Sequence, residues 1–367
     1  MMELTIAREE LLKPLSYVAG VVERRQTLPV LSNVLLCVQG TALELTGTDL
    51  EVEIITTAAT LAGKDGSMTV PARKLYDICR ALPAEAQISI TQDGDKVIVR
   101  SGKSRFTLLT LPADDFPSVG VEAWDVSFKL RQDALKRLLE RTQFCMAHQD
   151  VRYYLNGLLL ELAGKKLRAV ATDGHRMGLS DVELEGDEVG ERQVIVPRKG
   201  VHEITRFLSG GSESVEIKLS SNHMQVVAAG VTLTSKLVDG RFPDYNQVVP
   251  TSYQCVMRIE RTGLREALGR VAILANDKYR GARFNFRAEV LVVSAHNPEQ
   301  EEAEEEIPAS YSGEELEIGF NVNYVIDAVN GLEADEIELG VNDPSSSCVL
   351  QSSTDGDTRY IVMPMRL

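Results

Sequence analysis

The chain has 367 residues, 44% of them hydrophobic, enough apolar material for several buried cores, which excludes wholesale disorder. A formal net charge of −15, spread evenly, would repel phosphate and exclude a nucleic-acid partner, so any such partner requires the charge to be segregated. Five scattered cysteines (Cys37, Cys79, Cys145, Cys255 and Cys348) without a CxxC pair exclude a disulfide framework and a zinc site, and predict small buried apolar side chains.

The N-terminus, MMELTIAREELLK, carries acids early and no apolar signal core. No run approaches the roughly 18 apolar residues that cross a bilayer, so a cytoplasmic protein with no membrane partner is expected. A strand, LTIA, leads into an amphipathic helix over Glu9–Arg25, in which Leu11, Leu12, Leu15, Val18 and Ala19 serve as the apolar stripe. Two apolar runs about a short turn, SNVLLCVQGTALELTGTDL, read as a hairpin. A second helix over Arg73–Leu82 and a strand with Ile88 and Ile90 follow.

The order then recurs. VSFKL precedes a helix over Arg131–Phe144, with Ala134, Leu135, Leu138 and Leu139 at helical spacing. The hairpin NGLLLELAGKKLRAVATDG, a helix over Arg198–Leu208 and a strand with Val215, Ile217 and Leu219 come next. A third round brings CVMRI, a helix over Arg261–Leu274, the hairpin ARFNFRAEVLVVSAHNP, a helix over Asn321–Leu332, and Ile337, Leu339 and Val341. Period two along these strands gives one buried and one wet face. Two helices and several antiparallel strands per round make an α+β fold.

Marker residues keep the beat. Asp49 in TGTDLE, Asp173 in ATDGHR and Asn297 in SAHNPE each open a turn after an apolar strand, at steps of 124 residues. Pro71, Pro197 and Asn321 each open a helix, at steps of 126 and 124. The period is too long for a solenoid and fits one ordinary domain. Three tandem domains are expected, over 1–120, 127–246 and 254–367, divided where the apolar pattern lapses near Ser118–Asp125 and Asn246–Gln254. Neither linker is Gly/Ser-rich, which predicts rigid placement.

The charge is segregated. Four of the six predicted helices, Arg73–Leu82, Arg131–Phe144, Arg198–Leu208 and Arg261–Leu274, carry +2 each; Glu9–Arg25 carries 0 and Asn321–Leu332 carries −1. Solvated helix faces would explain some of this. Helices at +7 in a chain of −15 instead favour basic faces turned to phosphate, with acidic strands turned away. Catalytic chemistry is not indicated. The chain has no P-loop, GxSxG or HExxH, and the DG of ATDGHR is a turn signal rather than half of a catalytic His–Asp pair. No catalytic residue, metal or cofactor is expected.

The segments TLPVLSNVLL (27–36), LTGTDLE (45–51), VPARK (70–74), AHQDVRYYLNG (147–157), ATDGHR (171–176), SKLVDGRFPDY (235–245), NPEQEEAEE (297–305) and YIVMPMRL (360–367) together resemble the bacterial DNA polymerase III beta subunit family, the sliding clamps. The resemblance runs the whole length. It implies a head-to-tail homodimer closed into a ring of six similar domains, with twelve helices around duplex DNA that is held without regard to sequence. It implies a non-catalytic processivity factor that tethers the replicative polymerase and meets the clamp loader and other clamp-binding proteins. A peptide-binding adaptor of clamp-like fold that does not encircle DNA is the alternative.

The family's client-peptide pocket corresponds here to Leu155, Thr172, Gly174, His175, Arg176, Met177, Pro243, Val248, Val362, Met363, Pro364, Met365 and Arg366. Stiff prolines and adaptable methionines suit a surface that accepts several partners. The same tail also reads as a final strand of its own domain. After PDY this chain has Asn246 and Gln247 where family members carry bases, which bears on polar contacts at the rim. DNA contacts correspond to Arg24, Arg73, Gln149, Arg152, Tyr153, Tyr154, Arg198 and Lys199, the two tyrosines reading equally as strand aromatics; charge position adds Arg137, Arg141, Arg206, Arg265 and Arg270. Alone, the acidic run Pro298–Glu306 reads as a solvated loop or strand edge. Head-to-tail closure would set Glu301, Glu302, Glu304 and Glu305 opposite Arg100, Lys103 and Arg105, with Lys74 nearby and Phe106, Leu108, Ile273 and Leu274 as the apolar part.

Overall fold

A computed structural model of the chain describes residues 2–23, 28–121, 123–186, 188–250, 252–354 and 356–366. The first repeat runs β1 (Glu3–Ala7), α1 (Arg8–Val21), β2 (Asn33–Gln39), β3 (Ala42–Thr48), β4 (Val52–Ala59), β5 (Ala62–Lys64), β6 (Gly66–Pro71), α2 (Ala72–Ala81), β7 (Gln87–Asp93), β8 (Lys96–Ser101) and β9 (Ser104–Leu109). The second runs β10 (Val126–Arg131), α3 (Gln132–Glu140), β11 (Gly157–Gly164), β12 (Lys166–Thr172), β13 (Arg176–Glu183), β14 (Val189–Pro197), α4 (Arg198–Phe207), β15 (Ser214–Leu219), β16 (His223–Ala228) and β17 (Val231–Lys236). The third runs β18 (Cys255–Glu260), α5 (Arg261–Val271), β19 (Gly281–Arg287), β20 (Val290–His296), β21 (Glu302–Tyr311), β22 (Leu316–Asn321), α6 (Val322–Gly331), β23 (Glu336–Val341), β24 (Cys348–Ser352) and β25 (Thr358–Val362). The chain is thus three tandem α+β repeats.

Three helices end well before their expected ranges: α1 at Val21 rather than Arg25, α3 at Glu140 rather than Phe144, and α5 at Val271 rather than Leu274. In α3 the Thr142 hydroxyl donates to the Leu138 carbonyl at 2.8 Å, satisfying an orphan group of the last turn, and a tighter turn over Gln143–Cys145 follows. Beyond α5, Ile273 continues the apolar pattern yet is 75% exposed. Cys79, Cys145 and Cys348 are buried as expected, whereas Cys37 and Cys255 are only half-buried. Cys37 falls on the wetter face of β2, beside positions that alternate with the core.

The chain forms two compact units, Met1–Asp133 with Lys199–Leu237, and Ala134–Arg198 with Val238–Leu367. In the first, a five-stranded sheet is ordered β5-β1-β7-β8-β9, and an eight-stranded sheet β10-β15-β16-β17-β4-β3-β2-β6. Helix α1 buries Leu11, Leu15 and Val18 completely where it packs on β3, β4 and α2, each side chain contributing roughly 2 kcal/mol of apolar burial. In the second unit a twelve-stranded sheet is ordered β14-β11-β12-β13-β25-β24-β23-β18-β21-β20-β19-β22, and α5 packs on β20, β21 and α6.

Each unit contains one ladder that joins consecutive repeats. In the first, β17 pairs with β4, from Val231 opposite Thr56 to Ser235 opposite Val52. In the second, β25 pairs with β13, from Thr358 opposite Ser180 to Val362 opposite Arg176. Among the edges that no described strand covers, two belong to the counterparts of these ladder strands. β9 is the last strand of its sheet, and β18 pairs with β21 only at Ala309–Tyr311, leaving the outer edge of the acidic half of β21 without a described strand.

Candidate functional site

Two of the three marker turns are built alike. The Thr48 hydroxyl donates to the Val52 carbonyl at 3.0 Å and accepts from the Leu50 N–H at 3.0 Å, while Asp49 Oδ1 accepts from the Glu51 and Val52 N–H groups at 2.9 and 2.7 Å. The Thr172 hydroxyl donates to the Arg176 carbonyl at 2.6 Å and accepts from the Gly174 N–H at 3.1 Å. Asp173 Oδ1 accepts from the His175 and Arg176 N–H groups at 2.9 and 3.0 Å. Short polar side chains satisfy a sharp backbone this way, and each turn needs one positive φ, Leu50 at 75° and Gly174 at 88°. The third turn is one residue longer, with Asn297 Oδ1 accepting from the Glu301 N–H at 2.9 Å.

The Asp173 turn forms one rim of a cavity of about 180 Å³ in the second unit. Of the pocket residues expected from sequence, Leu155, Thr172, Gly174, Arg176, Met177, Pro243, Val248 and Met363 line it together. Five do not. Val362 is buried in the β13–β25 ladder, His175 is exposed with its carbonyl accepting from the Met363 N–H at 2.9 Å, and Pro364, Met365 and Arg366 continue past the cavity. Arg152, Phe242, Asp244, Tyr245 and Ile361 also line it. Phe242, Asp244 and Tyr245 lie in RFPDY, where an aromatic on each side of a proline is the available signal for a wall. The floor is continuous with a buried cluster that includes Leu155, Met177, Phe242, Tyr245 and Ile361.

Polar groups hold the walls. Arg176 donates to Asp173, to Asp327 and to the Phe144 carbonyl, with its guanidinium 4.5 Å from the Tyr324 ring centre. The Tyr245 hydroxyl donates to Glu161 and accepts from Arg168. Arg168 in turn forks onto Asp181 at 2.6 and 2.8 Å; burial works to raise the Asp181 carboxyl, and the bonds and charges of Arg168 and Lys166 together more than reverse that, leaving it lowered. At the rim, Asn246 and Gln247 bond the Asp244 carboxylate at 3.3 and 3.1 Å, so the pair that departs from the family pattern braces the pocket's own acid.

The expected DNA contacts divide into three groups. Arg24 lies outside the described residues. Arg73, Arg137 and Arg265 are exposed on α2, α3 and α5, and Gln149 and Tyr153 are exposed as well. The rest have bonds within the chain. Lys199 binds Asp49, Glu23 and the Val21 carbonyl, Arg198 the Met146 and Ala147 carbonyls, and Arg206 the Ser16 carbonyl and Glu203. Arg141 binds Glu333 and Thr358, Arg270 binds Glu305, and Arg152 binds Asp150. Tyr154 packs on the pocket cluster.

For the expected interface, Lys74, Arg100, Lys103 and Arg105 are exposed and Phe106 and Leu108 half-buried. The acidic run is a strand edge. Glu301, Glu302 and Glu304 are exposed, while Glu305 is held by Arg270 at 2.7 Å, which lowers its carboxyl. Ile273 is exposed and Leu274 half-buried. Among the described residues no group of three His, Cys, Asp or Glu side chains is placed to hold a metal, and no helix is long and apolar enough to cross a membrane.

With this geometry in hand, three segments match family descriptions in order: 2–120 the N-terminal, 129–244 the central and 246–366 the C-terminal domain of the DNA polymerase III beta subunit. The chain is 52% identical over 367 residues to the beta sliding clamp of Pseudomonas putida and 47% identical to that of Escherichia coli, covering 100% of both chains in each case. A crystal structure of the sliding clamp from Pseudomonas aeruginosa bound to griselimycin superposes with a TM-score of 0.96 at 50% identity, covering 100% of both chains.

Proposed function

Since this chain belongs to the DNA polymerase III beta subunit family, the sliding clamps, which are processivity factors and not enzymes, we propose that two copies close head to tail around duplex DNA. The observation that carries this reading is the ladder between repeats. It occurs twice within the chain, β17 on β4 and β25 on β13. Of the edges that no described strand covers, two belong to the counterparts of such a pair, β9 standing where β17 and β25 stand and β21 where β4 and β13 stand. The register follows from the repeat. Thr172 opposite Met177 in the second repeat corresponds to His296 opposite Glu302 in the third, and Lys236 opposite His223 corresponds to Leu109 opposite Lys96. A third ladder between copies then sets Thr107 opposite Glu302, Phe106 opposite Ala303 and Arg105 opposite Glu304. Opposite charges facing across a ladder are favourable and like charges are not, so this register suits the sequence.

Three repeats per chain, doubled, make the pseudo-sixfold ring in which α1 to α6 of both copies surround DNA. Arg73, Arg137 and Arg265 are the side chains best placed to meet phosphates, through loose contacts that read no bases. The pocket around Leu155, Met177, Pro243, Val248 and Met363 takes the apolar side chains of short peptides from the replicative polymerase, the clamp loader and other clients, and the protein works in the cytoplasm. The test is topological. The protein is loaded with a clamp loader and ATP onto a nicked circular DNA, the complex is isolated by gel filtration, and the DNA is cut once. Release on cutting supports a closed sliding ring; retention on linear DNA refutes it.

A further inference from the structure

We propose that the third repeat carries a second peptide cleft, the counterpart of the client pocket, which takes a short extended segment bearing apolar side chains and carboxylates. The proposal rests on reading the first pocket as a peptide site. A cavity of about 400 Å³ lies wholly within the third repeat and the C-terminal tail. Four of its lining residues, Asn276, Tyr279, His296 and Pro298, each stand 124 residues after a residue lining the first pocket, Arg152, Leu155, Thr172 and Gly174. The ladders agree: Leu159 faces Val170 as Arg283 faces Ser294, and Gly157 faces Pro197 as Gly281 faces Asn321. The two cavities therefore occupy the same place in two copies of one fold.

The tail connects them. Met363 lines the first cavity, and Met365 and Arg366 line the second, where the Met365 N–H donates to the Gly319 carbonyl at 2.8 Å. A peptide leaving the first pocket along the tail arrives at the second. Its chemistry follows from the lining. Tyr279, 56% exposed as a residue, lines the cavity together with Ala295, Pro298 and Met365, which favours apolar side chains. Arg283, His296 and Arg366 line the cavity, whose wall includes no carboxylate, and Arg283 also pairs with Glu317 at 3.1 Å. A ligand that supplies carboxylates completes the charge.

The probe is an octapeptide of alternating leucine and aspartate, titrated calorimetrically into the full-length protein, with sedimentation run on the same mixtures. Two peptides per protomer are expected. Arg283→Glu, and independently Tyr279→Ala, should weaken one of the two sites at least tenfold and leave the other. Val248→Glu should do the reverse. A single site in the unaltered protein, or two sites that both survive Arg283→Glu and Tyr279→Ala, overturns the inference. Two sites that both survive Val248→Glu would instead sink the reading of the first pocket. Occupancy of the second cleft only as the dimer dissociates would assign it to Leu109 and Leu111 of another copy, which are 69% and 36% exposed, and also overturns the proposal.

Discussion

Arg176 and Asp327, 151 positions apart in sequence, are joined by a hydrogen-bonded ion pair that ties the Asp173 turn to helix α6. The same guanidinium bonds Asp173 and the Phe144 carbonyl, so one side chain sets the rim of the first cavity against two other elements of its unit. Arg176→Ala leaves a half-buried carboxylate and a carbonyl without their donor and should cost about 3 kcal/mol. Asp327→Asn, at a more exposed group, should cost about 1 kcal/mol. Urea unfolding of the two variants reads the difference, and equal midpoints for both and the parent chain would refute the role.

The C-terminal tail should be needed for peptide binding and not for dimerisation. Deleting Met363–Leu367 removes one wall of the first cavity and two lining residues of the second while leaving β9 and β21 intact. Peptide affinity should fall below detection with the sedimentation coefficient of the dimer retained. Unaltered affinity would show that the cavity is not the peptide site.

Salt dependence separates phosphate contacts from internal ion pairs. The triple variant Arg73→Ala, Arg137→Ala, Arg265→Ala removes six arginines from the two-copy ring and should flatten the dependence of DNA affinity on salt by up to about 5 in the log–log slope, near 0.9 for each phosphate no longer neutralised. Lys199→Ala should leave that slope almost unaltered and lower thermal stability, because its ammonium is bound to Asp49 and Glu23. The opposite pattern would exchange the two assignments.

The proposed junction register can be trapped. With Arg105→Cys and Glu304→Cys in one chain, oxidation should give a covalently closed dimer. Moving one cysteine along by a residue, Phe106→Cys with Glu304→Cys, should give little, since neighbouring strand positions face opposite ways. Ile273→Ala with Leu274→Ala should yield monomer by sedimentation, and a persistent dimer would remove these residues from the interface.

Asp150 supplies a pH signature at the rim of the pocket. The Arg152 side chain, then its backbone N–H, holds the carboxyl down to about 2. A depressed carboxyl contributes stability in full above its unfolded value, roughly 3.9, and loses it as pH falls through about 2. Carboxyl chemical shifts should place the midpoint near 2, and Arg152→Ala should raise it. A midpoint that stays put on substitution would mean that the pair does not form.

Much of this architecture was legible in the sequence because it is written in local chemistry. Asp49 and Asp173 announce their turns because the hydrogen bonds that build them reach only two or three residues. Alternation along β15 or β23 announces a half-buried strand for the same reason. The helix ends were less legible: Ile273 fits the apolar pattern of α5 yet lies beyond it in water. The least legible property was the use of each positive charge. Lys199 and Arg73 sit alike at the start of a helix with the same net charge. Only the fold brings Asp49 to Lys199 across 150 positions and leaves Arg73 open. Likewise the aromatic walls Phe242 and Tyr245 were visible as a motif, while their convergence on Leu155 and Met177 depends on tertiary packing.

The ladders between repeats also set a timetable for synthesis. β4 leaves the ribosome with an unpaired edge and waits for β17, whose first residue is 231; β13 then waits for β25, almost at the end of the chain. At about 5–20 residues per second, each edge stands open for roughly ten to forty seconds, an interval in which bare strands invite pairing with other nascent chains. The acidic half of β21 is given no described strand by its own chain. Translation alone therefore cannot finish this protein's last sheet, and neighbouring copies made on one messenger would meet with that edge still waiting.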